Sequence, residues 1–358
     1  MQIFDTIAEA LKGWLQNGLG LSATASGLIA TAVWTLVVIL FIMINLIVLV
    51  WLERKISAAM QQRRGPNRLG PAGFLQFPVD IVKVLGKEDI IPAAADKAIF
   101  KMASTTLFVT AILAWAVIPL GDGMVLADLN IGIFYFIAIG STATISLLMG
   151  GFASNNKYSL LGGMRTVAQM ISYEIPMVFS LLGVVMMVGS LRLTDIVNAQ
   201  KSMWFIVPQL IAFLVYFVAT VAETNRGPFD LAEGEQELVA GYFTEYSGIR
   251  YAIWMIAEYG NLVAVAAIAS LVFLGGWNAP GFLNYIPVLS YLTLIPGFLW
   301  LLAKIYFMIF LFMWVKWTYP RIRIDHLMNF GWKFLIPVSL ANIVVTGVGI
   351  YIYRMITG

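Results

Sequence analysis

Eight long apolar runs follow one another along the chain, each separated from the next by a polar or turn-rich connection. They lie at about 28–52, 98–119, 131–152, 168–189, 205–223, 251–275, 289–316 and 333–353. The first run has 25 residues and no charged residue, enough for about 37 Å of helix and a full bilayer crossing. The runs are too long and too uniformly apolar for barrel strands. This pattern predicts an all-α polytopic membrane protein with about eight transmembrane helices.

Two shorter segments have an amphipathic pattern instead. Near the N-terminus, apolar residues recur at helical spacing: Phe4, Ile7, Leu11, Trp14 and Leu15. After two Gly-Pro turns, a second segment carries Phe74, Leu75, Phe77, Ile81, Val82 and Leu85, with Asp80, Lys83 and Lys87 on its polar side. Each segment predicts a short interfacial helix that lies flat on the membrane.

The basic residues indicate how the helices are oriented. Sixteen of the 22 lysines and arginines lie in or beside the connections after the first, third, fifth and seventh runs, and four lie on the opposite side. The positive-inside rule then predicts both termini on the outer, periplasmic side and cytoplasmic loops at about 53–97, 153–167, 224–250 and 317–332. Because no internal repeat is visible, we expect residues 1–358 to form a single integral membrane domain, and not a carrier built from duplicated halves.

Composition narrows the possible chemistry. Hydrophobic residues make up 60% of the chain and charged residues only 11%, with a mean hydropathy of +0.87, so lipid is the expected solvent. The chain has no cysteine and one histidine, which excludes a cysteine-ligated iron–sulfur cluster and disfavours haem or zinc ligation. No basic patch interleaved with aromatic residues is present, so nucleic acid is not an expected partner. We expect no metal or covalently bound cofactor in this chain, and any electron carriers would belong to partner subunits.

Acidic residues are concentrated in one connection. Residues 222–248 hold six of the 19 acids: Glu223, Asp230, Glu233, Glu235, Glu237 and Glu245. Glu258 follows inside the sixth run, and Glu174 lies inside the fourth. Neighbouring buried carboxylates titrate as a coupled set, and an ionisable residue within a membrane span indicates function. The pattern therefore favours a proton path that starts at the cytoplasmic edge.

Two structural alternatives to a proton path remain open. The acids can form a cation-holding cluster or a hydrated loop that only organises partner contacts. Glu174 can form an ion pair with Arg165 or with a lysine. Lys304 in the seventh run and Lys101 near the start of the second run are possible partners for the acids.

Several long motifs between these runs resemble one known family. The motifs are LERKISAAMQQRRGPNRLGP, NNKYSLLGGMRTVAQMISYEIP, AETNRGPFDLAEGEQELVAGYFTEY, AEYGN and YPRIRIDHLMNFGWKFLIP, in this order. Between about residues 50 and 340 the chain resembles the H-type membrane subunit of respiratory complex I, the proton-pumping NADH:quinone oxidoreductase, whose mitochondrial counterpart is subunit 1. Membrane-bound hydrogenases have homologous subunits, but the long acidic motif is more similar to the quinone-reducing complex.

The resemblance implies a translocase subunit of the bacterial inner membrane that has no redox centre of its own. It would link the hydrophilic redox arm to the membrane arm, contact other membrane and hydrophilic subunits, quinone and lipid, and rely on FMN and iron–sulfur clusters in partner subunits. Quinone would be the substrate. The alternatives to this interpretation are a hydrogenase-type subunit, a stand-alone proton- or cation-coupled transporter and a purely structural anchor.

The same resemblance implies two sets of site residues. The quinone-chamber set is Arg54, Arg63, Asp80, Arg165, Arg226, Arg321 and Arg323. The proton-coupling set is Glu174, Glu223, Asp230, Glu233, Glu235, Glu237, Glu245 and Glu258.

Overall fold

The computed structural model describes residues 12–14, 16–18, 22–231, 234–280 and 295–357, without the side chains of residues 235, 236 and 357. No β-strand occurs in these ranges, where the only β pairing is an isolated bridge between Gly121 and Met124. The helices are α1 (Ala23–Met60), α2 (Gln76–Leu85), α3 (Lys97–Ala114), α4 (Gly132–Ala153), α5 (Lys157–Val188), α6 (Leu193–Ala199), α7 (Leu210–Glu223), α8 (Glu235–Leu238), α9 (Gly248–Phe273), α10 (Gly297–Thr318), α11 (Ile324–Phe330) and α12 (Ile336–Thr357).

The long helices confirm the predicted fold class. Seven of the described helical segments are long and apolar enough to cross a bilayer: α1, α3, α4, α5, α9, α10 and the continuous segment Ile324–Ile356. The shorter apolar helix α7 coincides with the predicted run at 205–223. The protein is therefore an all-α polytopic membrane protein, and the side on which each terminus lies stays a prediction.

Local sequence signals set where several helices begin and end. Asp96 accepts hydrogen bonds from the Ala98 and Ile99 amides and caps the start of α3. Asn156 accepts from the Tyr158 amide and caps α5, which ends at Gly189 with a φ of +76°. These side chains satisfy helix-end amides that would otherwise lack a partner, and glycine tolerates the left-handed conformation at the C-terminal end.

Helix α5 begins earlier than its apolar run. The hydropathy pattern predicts a span from about 168, but the helix starts at Lys157, so most of the predicted loop 153–167 is helical. A helix turn that lies in water has a polar surface, unlike a turn in lipid. The hydropathy pattern therefore assigns the polar first turns of α5 to a loop. At 32 residues, α5 is about 48 Å long and exceeds the roughly 30 Å hydrocarbon core.

The helix predicted after the first span is confirmed as α2, and its position at the membrane surface stays a prediction. Its apolar side is open, since Val82 and Leu85 are more than half exposed. Of the predicted N-terminal helix, residues 12–14 and 16–18 are helical, and Phe4, Ile7, Leu11 and Leu15 lie outside the described residues.

The last span contains a wider turn. Residues Gly331–Leu335 form a π-helical segment between α11 and α12. Pro337 follows it and lacks the amide hydrogen that a regular α-helix would use at that position, so the local hydrogen-bond pattern shifts. Tyr173 of α5 donates to the Leu327 carbonyl at 2.9 Å, and the Trp332 indole donates to the Ser172 hydroxyl at 3.0 Å. These bonds fix the segment against α5.

Candidate functional site

A buried ion cluster joins the ends of three spanning helices. Glu53 of α1 accepts from Lys316 of α10 at 2.7 Å and from Arg226, just after α7, at 3.0 Å. The Tyr259 hydroxyl of α9 donates to the same Glu53 carboxylate at 2.7 Å. Arg226 also lies 3.5 Å from Glu258 and stacks over the Tyr259 ring at 4.7 Å from its centroid. Two carboxylates thus face two cations, so the cluster is neutral when all four are ionised.

Arg226 is the centre of this cluster and is only 3% exposed. Burial alone would lower the pKa of its guanidinium, but the nearby Glu53, Tyr259 and Glu258 outweigh burial and place the pKa above its usual range. Arg226 therefore stays charged and holds two helices, α1 and α9, through their carboxylates.

Three members of this cluster were missed by sequence reasoning: Glu53, Tyr259 and Lys316. One signal was available, because Glu53 is the first charged residue after the 25-residue apolar run and sits within the same helix. No spacing in the sequence connects residues 53, 226 and 316, which meet only when α1, α7 and α10 pack together.

A cavity of about 410 Å³ opens beside the cluster, and we call it the aromatic cavity. Its lining residues are Arg226, Ala240, Phe243, Thr244, Tyr246, Tyr251, Met255, Glu258, Tyr259 and Lys316. Aromatic side chains share its wall with charged and hydroxyl groups, and the volume is within the usual range for a small-molecule site.

A second, smaller cavity lies on the other side of Glu258, and we call it the acid cavity. It has a volume of about 50 Å³, which is room for about three to five water molecules. Its lining includes Glu223, Thr224, Asn225, Glu258 and Asn261, together with apolar residues of α3 and α4. Glu258 is the acid that lines both cavities among the described residues.

Two acids extend this polar region into the helices. Glu223 is 6% exposed, and its Oε2 has no hydrogen-bond partner within the described part of the chain. Gly140 of α4 leaves space beside it, since a Cβ there would lie 3.5 Å from Glu223 Oε1. The adjacent Ser141 hydroxyl donates to Glu174 of α5. Two consecutive residues of α4, Gly140 and Ser141, therefore lie next to Glu223 and Glu174 respectively.

Neither Arg165 nor Lys304, two of the alternative partners, pairs with an intramembrane acid within the described residues. Arg165 pairs with Glu237 at 2.6 Å and not with Glu174, because Arg165 lies about two turns nearer the start of α5. Lys304 donates to the Gly276 and Asn278 carbonyls, both at 2.7 Å, so it caps the chain after α9 and pairs with no acid within the described residues.

The remaining loop acids whose side chains the structure describes have separate partners. Asp230 lies 3.5 Å from Arg321, and Glu245 accepts from the Asn156 amide at 2.6 Å. Glu237 is exposed, and the hydrogen bond and charge of Arg165 place its pKa below the usual range. Glu233 and the side chain of Glu235 lie outside the described residues, so their predicted roles stay predictions.

Of the seven residues predicted for the quinone chamber, Arg226 lines the aromatic cavity and the other six do not. Arg54 pairs with Asp80 at 2.6 Å. Partial burial acts to raise the pKa of Asp80, but hydrogen bonds from Arg54 and Gln76 outweigh it, so the pKa is lowered and the pair persists until the pH falls through that value. Arg63 donates to Gln61 at 2.6 Å, and Arg323 pairs with Asp325 at an exposed position.

One glutamine holds the turn that carries the central cation. Gln169 of α5 is 1% exposed, and its amide nitrogen lies 2.7 Å from the Ala222 carbonyl and 2.8 Å from the Phe229 carbonyl. These acceptors lie at the two ends of the turn that presents Glu223 and Arg226. A single side chain thus fixes both ends, and sequence reasoning missed it because Gln169 sits in an otherwise ordinary helical run.

The wall of the aromatic cavity is itself a packed unit. Tyr246 stacks on Phe100 with centroids 3.9 Å apart and donates to the Phe100 carbonyl at 3.1 Å, and burial raises the pKa of the Tyr246 hydroxyl above its usual range. Gly162 of α5 touches Gly241, which has a φ of +59°. The turn Gly241–Phe243 therefore packs directly against the backbone of α5.

Within the described residues, no group of three or more His, Cys, Asp or Glu side chains is arranged to hold a metal ion. Where described acids lie near one another, they contact arginine, lysine, serine or tyrosine side chains. The arrangement is therefore suited to proton exchange and to the recognition of a polar group at the edge of an apolar ligand.

Comparison with known proteins decides the family. Residues 33–347 match the family model described as NADH dehydrogenase. The chain belongs to the NADH dehydrogenase family. A relative from Carboxydothermus hydrogenoformans, described as the H subunit of an NADH-quinone oxidoreductase, is 48% identical over 355 residues, covering 99% of this chain and 98% of the relative.

Two further relatives with the same description support the assignment. The protein from Geobacillus kaustophilus is 46% identical, covering 94% of this chain and 98% of the relative, and that from Bacillus cytotoxicus is 51% identical, covering 82% and 86%. Membership of the NADH dehydrogenase family confirms the predicted resemblance and the prediction of an enzyme subunit. Together with the spanning helices, it also confirms the predicted location, an integral multi-pass protein of the bacterial inner membrane.

Proposed function

We propose that this chain forms part of the quinone-binding chamber of an NADH:quinone oxidoreductase and couples quinone reduction to proton movement through its buried acids. The observation that carries the proposal is the position of Glu258, which lines the aromatic cavity and the acid cavity at once. A ligand in the first cavity and a proton in the second would thus act on the same carboxylate.

The aromatic cavity has the chemistry that a quinone head group requires. A quinone is an apolar ring with two carbonyl acceptors, so its site needs apolar walls and a few hydrogen-bond donors. Lys316, whose ammonium has protons beyond the one it donates to Glu53, supplies donors at the cavity wall, and Phe243, Tyr246 and Met255 supply the apolar surface. The relatives are quinone oxidoreductase subunits by description, which favours quinone over a transported ion or another acceptor.

The ion cluster would link reduction to proton uptake. Reduction of a quinone to a quinol takes two electrons, which partner subunits would deliver, and two protons. A proton given up by Tyr259 or Lys316 would leave the neutral cluster with one net negative charge. Glu258 could then pass a replacement proton from the acid cavity, and Glu223 and Glu174 would extend the route inside the membrane.

Replacing Glu258 by glutamine tests this proposal. We expect Glu258→Gln to leave the complex assembled, to lower quinone-dependent NADH oxidation at least tenfold and to abolish NADH-driven proton uptake into inverted vesicles, since the amide keeps the shape but cannot exchange a proton. The matched control is Glu88→Gln, an exposed acid that lines neither cavity. If turnover and pumping were both unchanged in assembled Glu258→Gln, the acids would only organise the structure and the anchor alternative would hold.

We also propose the orientation that the basic loops indicate, with residues 1–358 as one membrane domain and the Glu53–Arg226 cluster at the cytoplasmic end. Because the chain has no cysteine, a single introduced cysteine is a unique label. We expect Lys201→Cys to react with a membrane-impermeant maleimide in intact spheroplasts, and Lys87→Cys to react only in inverted vesicles. Labelling of Lys87→Cys in spheroplasts would reverse the assignment.

A further inference from the structure

Another large cavity lies toward the opposite end of α1 from the ion cluster. It has a volume of about 350 Å³. One wall is a single face of α1, formed by Ala30, Trp34, Val38 and Phe41 at helical spacing, and the opposite wall includes Met124 and Phe298. We call it the α1 cavity. Apart from Lys12 and Thr31, its lining is apolar or glycine.

The shape of the α1 cavity fits one extended hydrocarbon chain. From Ala30 to Phe41 the helix rises about 16 Å, which matches the roughly 15 Å depth of one leaflet of the hydrocarbon core. A volume of about 350 Å³ along that length leaves room for an extended hydrocarbon chain that reaches across one leaflet.

A cation stands at the open end of this cavity. Gln16 donates to the Ser26 hydroxyl at 2.9 Å and ties the segment that carries Lys12 to the first turn of α1. Lys12 lines the cavity, is exposed, and has no ion pair within the described residues. Thr31 already donates its hydroxyl to the Gly27 carbonyl at 3.0 Å, so the ammonium of Lys12 is the strong donor that remains for a ligand.

We propose that the α1 cavity binds an anionic phospholipid, with one acyl chain along α1 and the phosphate paired with Lys12. An apolar slot as deep as one leaflet, with a cation at its opening, is complementary to an acyl chain that carries an anionic head group. An uncharged ligand would leave the cation without a partner. A quinone is a poorer match, because the described residues that line the interior of the slot offer no free strong donor for its carbonyls. This lipid site does not depend on the function proposed for the ion cluster.

The test uses the purified complex with a photocrosslinking residue, p-benzoylphenylalanine, in place of Val37 in the cavity wall. The complex is reconstituted into vesicles with equal amounts of phosphatidylglycerol and phosphatidylcholine, irradiated, and subunit masses are measured. We expect a phosphatidylglycerol adduct in preference to phosphatidylcholine, and at least a fivefold loss of that adduct in Lys12→Glu. The matched control is Lys201→Glu, a second exposed lysine that does not line the cavity, and it should keep the adduct.

Three outcomes would overturn the proposal. Equal adducts with and without Lys12→Glu would show that the cation does not recognise a head group. Equal capture of the two lipids would show that the slot accepts any acyl chain. A crosslink from position 37 to another subunit would show that protein and not lipid fills the cavity. NADH oxidation with quinone, expected to be unchanged in Lys12→Glu and Lys201→Glu, verifies that the complexes are assembled.

Discussion

Arg226→Gln is expected to prevent stable assembly of the complex. The substitution removes the cation that Glu53 and Glu258 share, at 3.0 Å and 3.5 Å. Lys316 still pairs with Glu53 at 2.7 Å, but no second cation bonds to Glu258 within the described residues. Breaking a buried ion pair from one side costs about 3–5 kcal/mol, because a charge is left without compensation. This is comparable with a large part of the stability of an ordinary domain.

The measurement is the amount of assembled complex in membranes and its thermal midpoint in mild detergent. Arg64→Gln is the matched control, since Arg64 is exposed and has no ion pair within the described residues. We expect the control to accumulate and melt as the wild type does. If Arg226→Gln also accumulated and melted normally, the cluster would not hold α1, α7 and α9 together, and our account of its energetics would be wrong.

Gly162→Ala should have the second largest effect, through packing and not charge. A Cβ at residue 162 would lie 2.7 Å from Gly241 Cα and 2.9 Å from the Tyr242 nitrogen, and both are backbone atoms that cannot move aside alone. Overpacking of this kind costs about 1–3 kcal/mol. The turn Gly241–Phe243 must therefore shift, and Phe243 in the wall of the aromatic cavity shifts with it. We expect kcat/KM for quinone to fall at least tenfold.

The matched control for Gly162→Ala is Gly260→Ala on α9. A Cβ there would meet only Ala111 Cβ at 3.8 Å, an ordinary contact, and Gly260 lines neither the aromatic nor the acid cavity. The control should keep wild-type kinetics. Normal quinone kinetics in Gly162→Ala would mean that the turn does not shape the ligand site, even though it borders the cavity.

Hydropathy was sufficient to predict the fold because a membrane leaves the backbone few choices. Each apolar run had to be a helix to satisfy its own amides and carbonyls, and even the 14-residue α7 was found this way. Helix ends were harder to predict, as Lys157 shows, because a polar turn beyond the bilayer follows the rules of soluble helices. Helix caps such as Asn156 carry that information, but hydropathy does not.

The candidate site was only partly predictable. Glu223 and Glu258 were found because each is a charge in or beside an apolar run, and Arg226 was predicted from the family resemblance. Glu53 and Lys316 were missed because both lie at the ends of spans, where a charged residue is usually solvated. Their pairing depends on how helices far apart in the sequence pack, and one chain's pattern does not encode that packing. The alternative pairing of Glu174 with Arg165 is not found, because the two residues lie about two turns apart on α5 and Arg165 contacts Glu237.

The short length of α7 has a consequence for how the protein responds to its bilayer. Its 14 residues span about 21 Å, about 9 Å less than the hydrocarbon core, whereas α1 and α5 are longer than the core. At least one end of α7 therefore lies at hydrocarbon depth, where irregular backbone must be satisfied by protein. On the Glu223 side, Gln169 supplies those bonds. Thinning or thickening of the membrane then acts on the lipid-facing ends of the long helices. Since α5 is one of them and carries Gln169, the turn with Arg226 is bonded to a helix that responds to bilayer thickness.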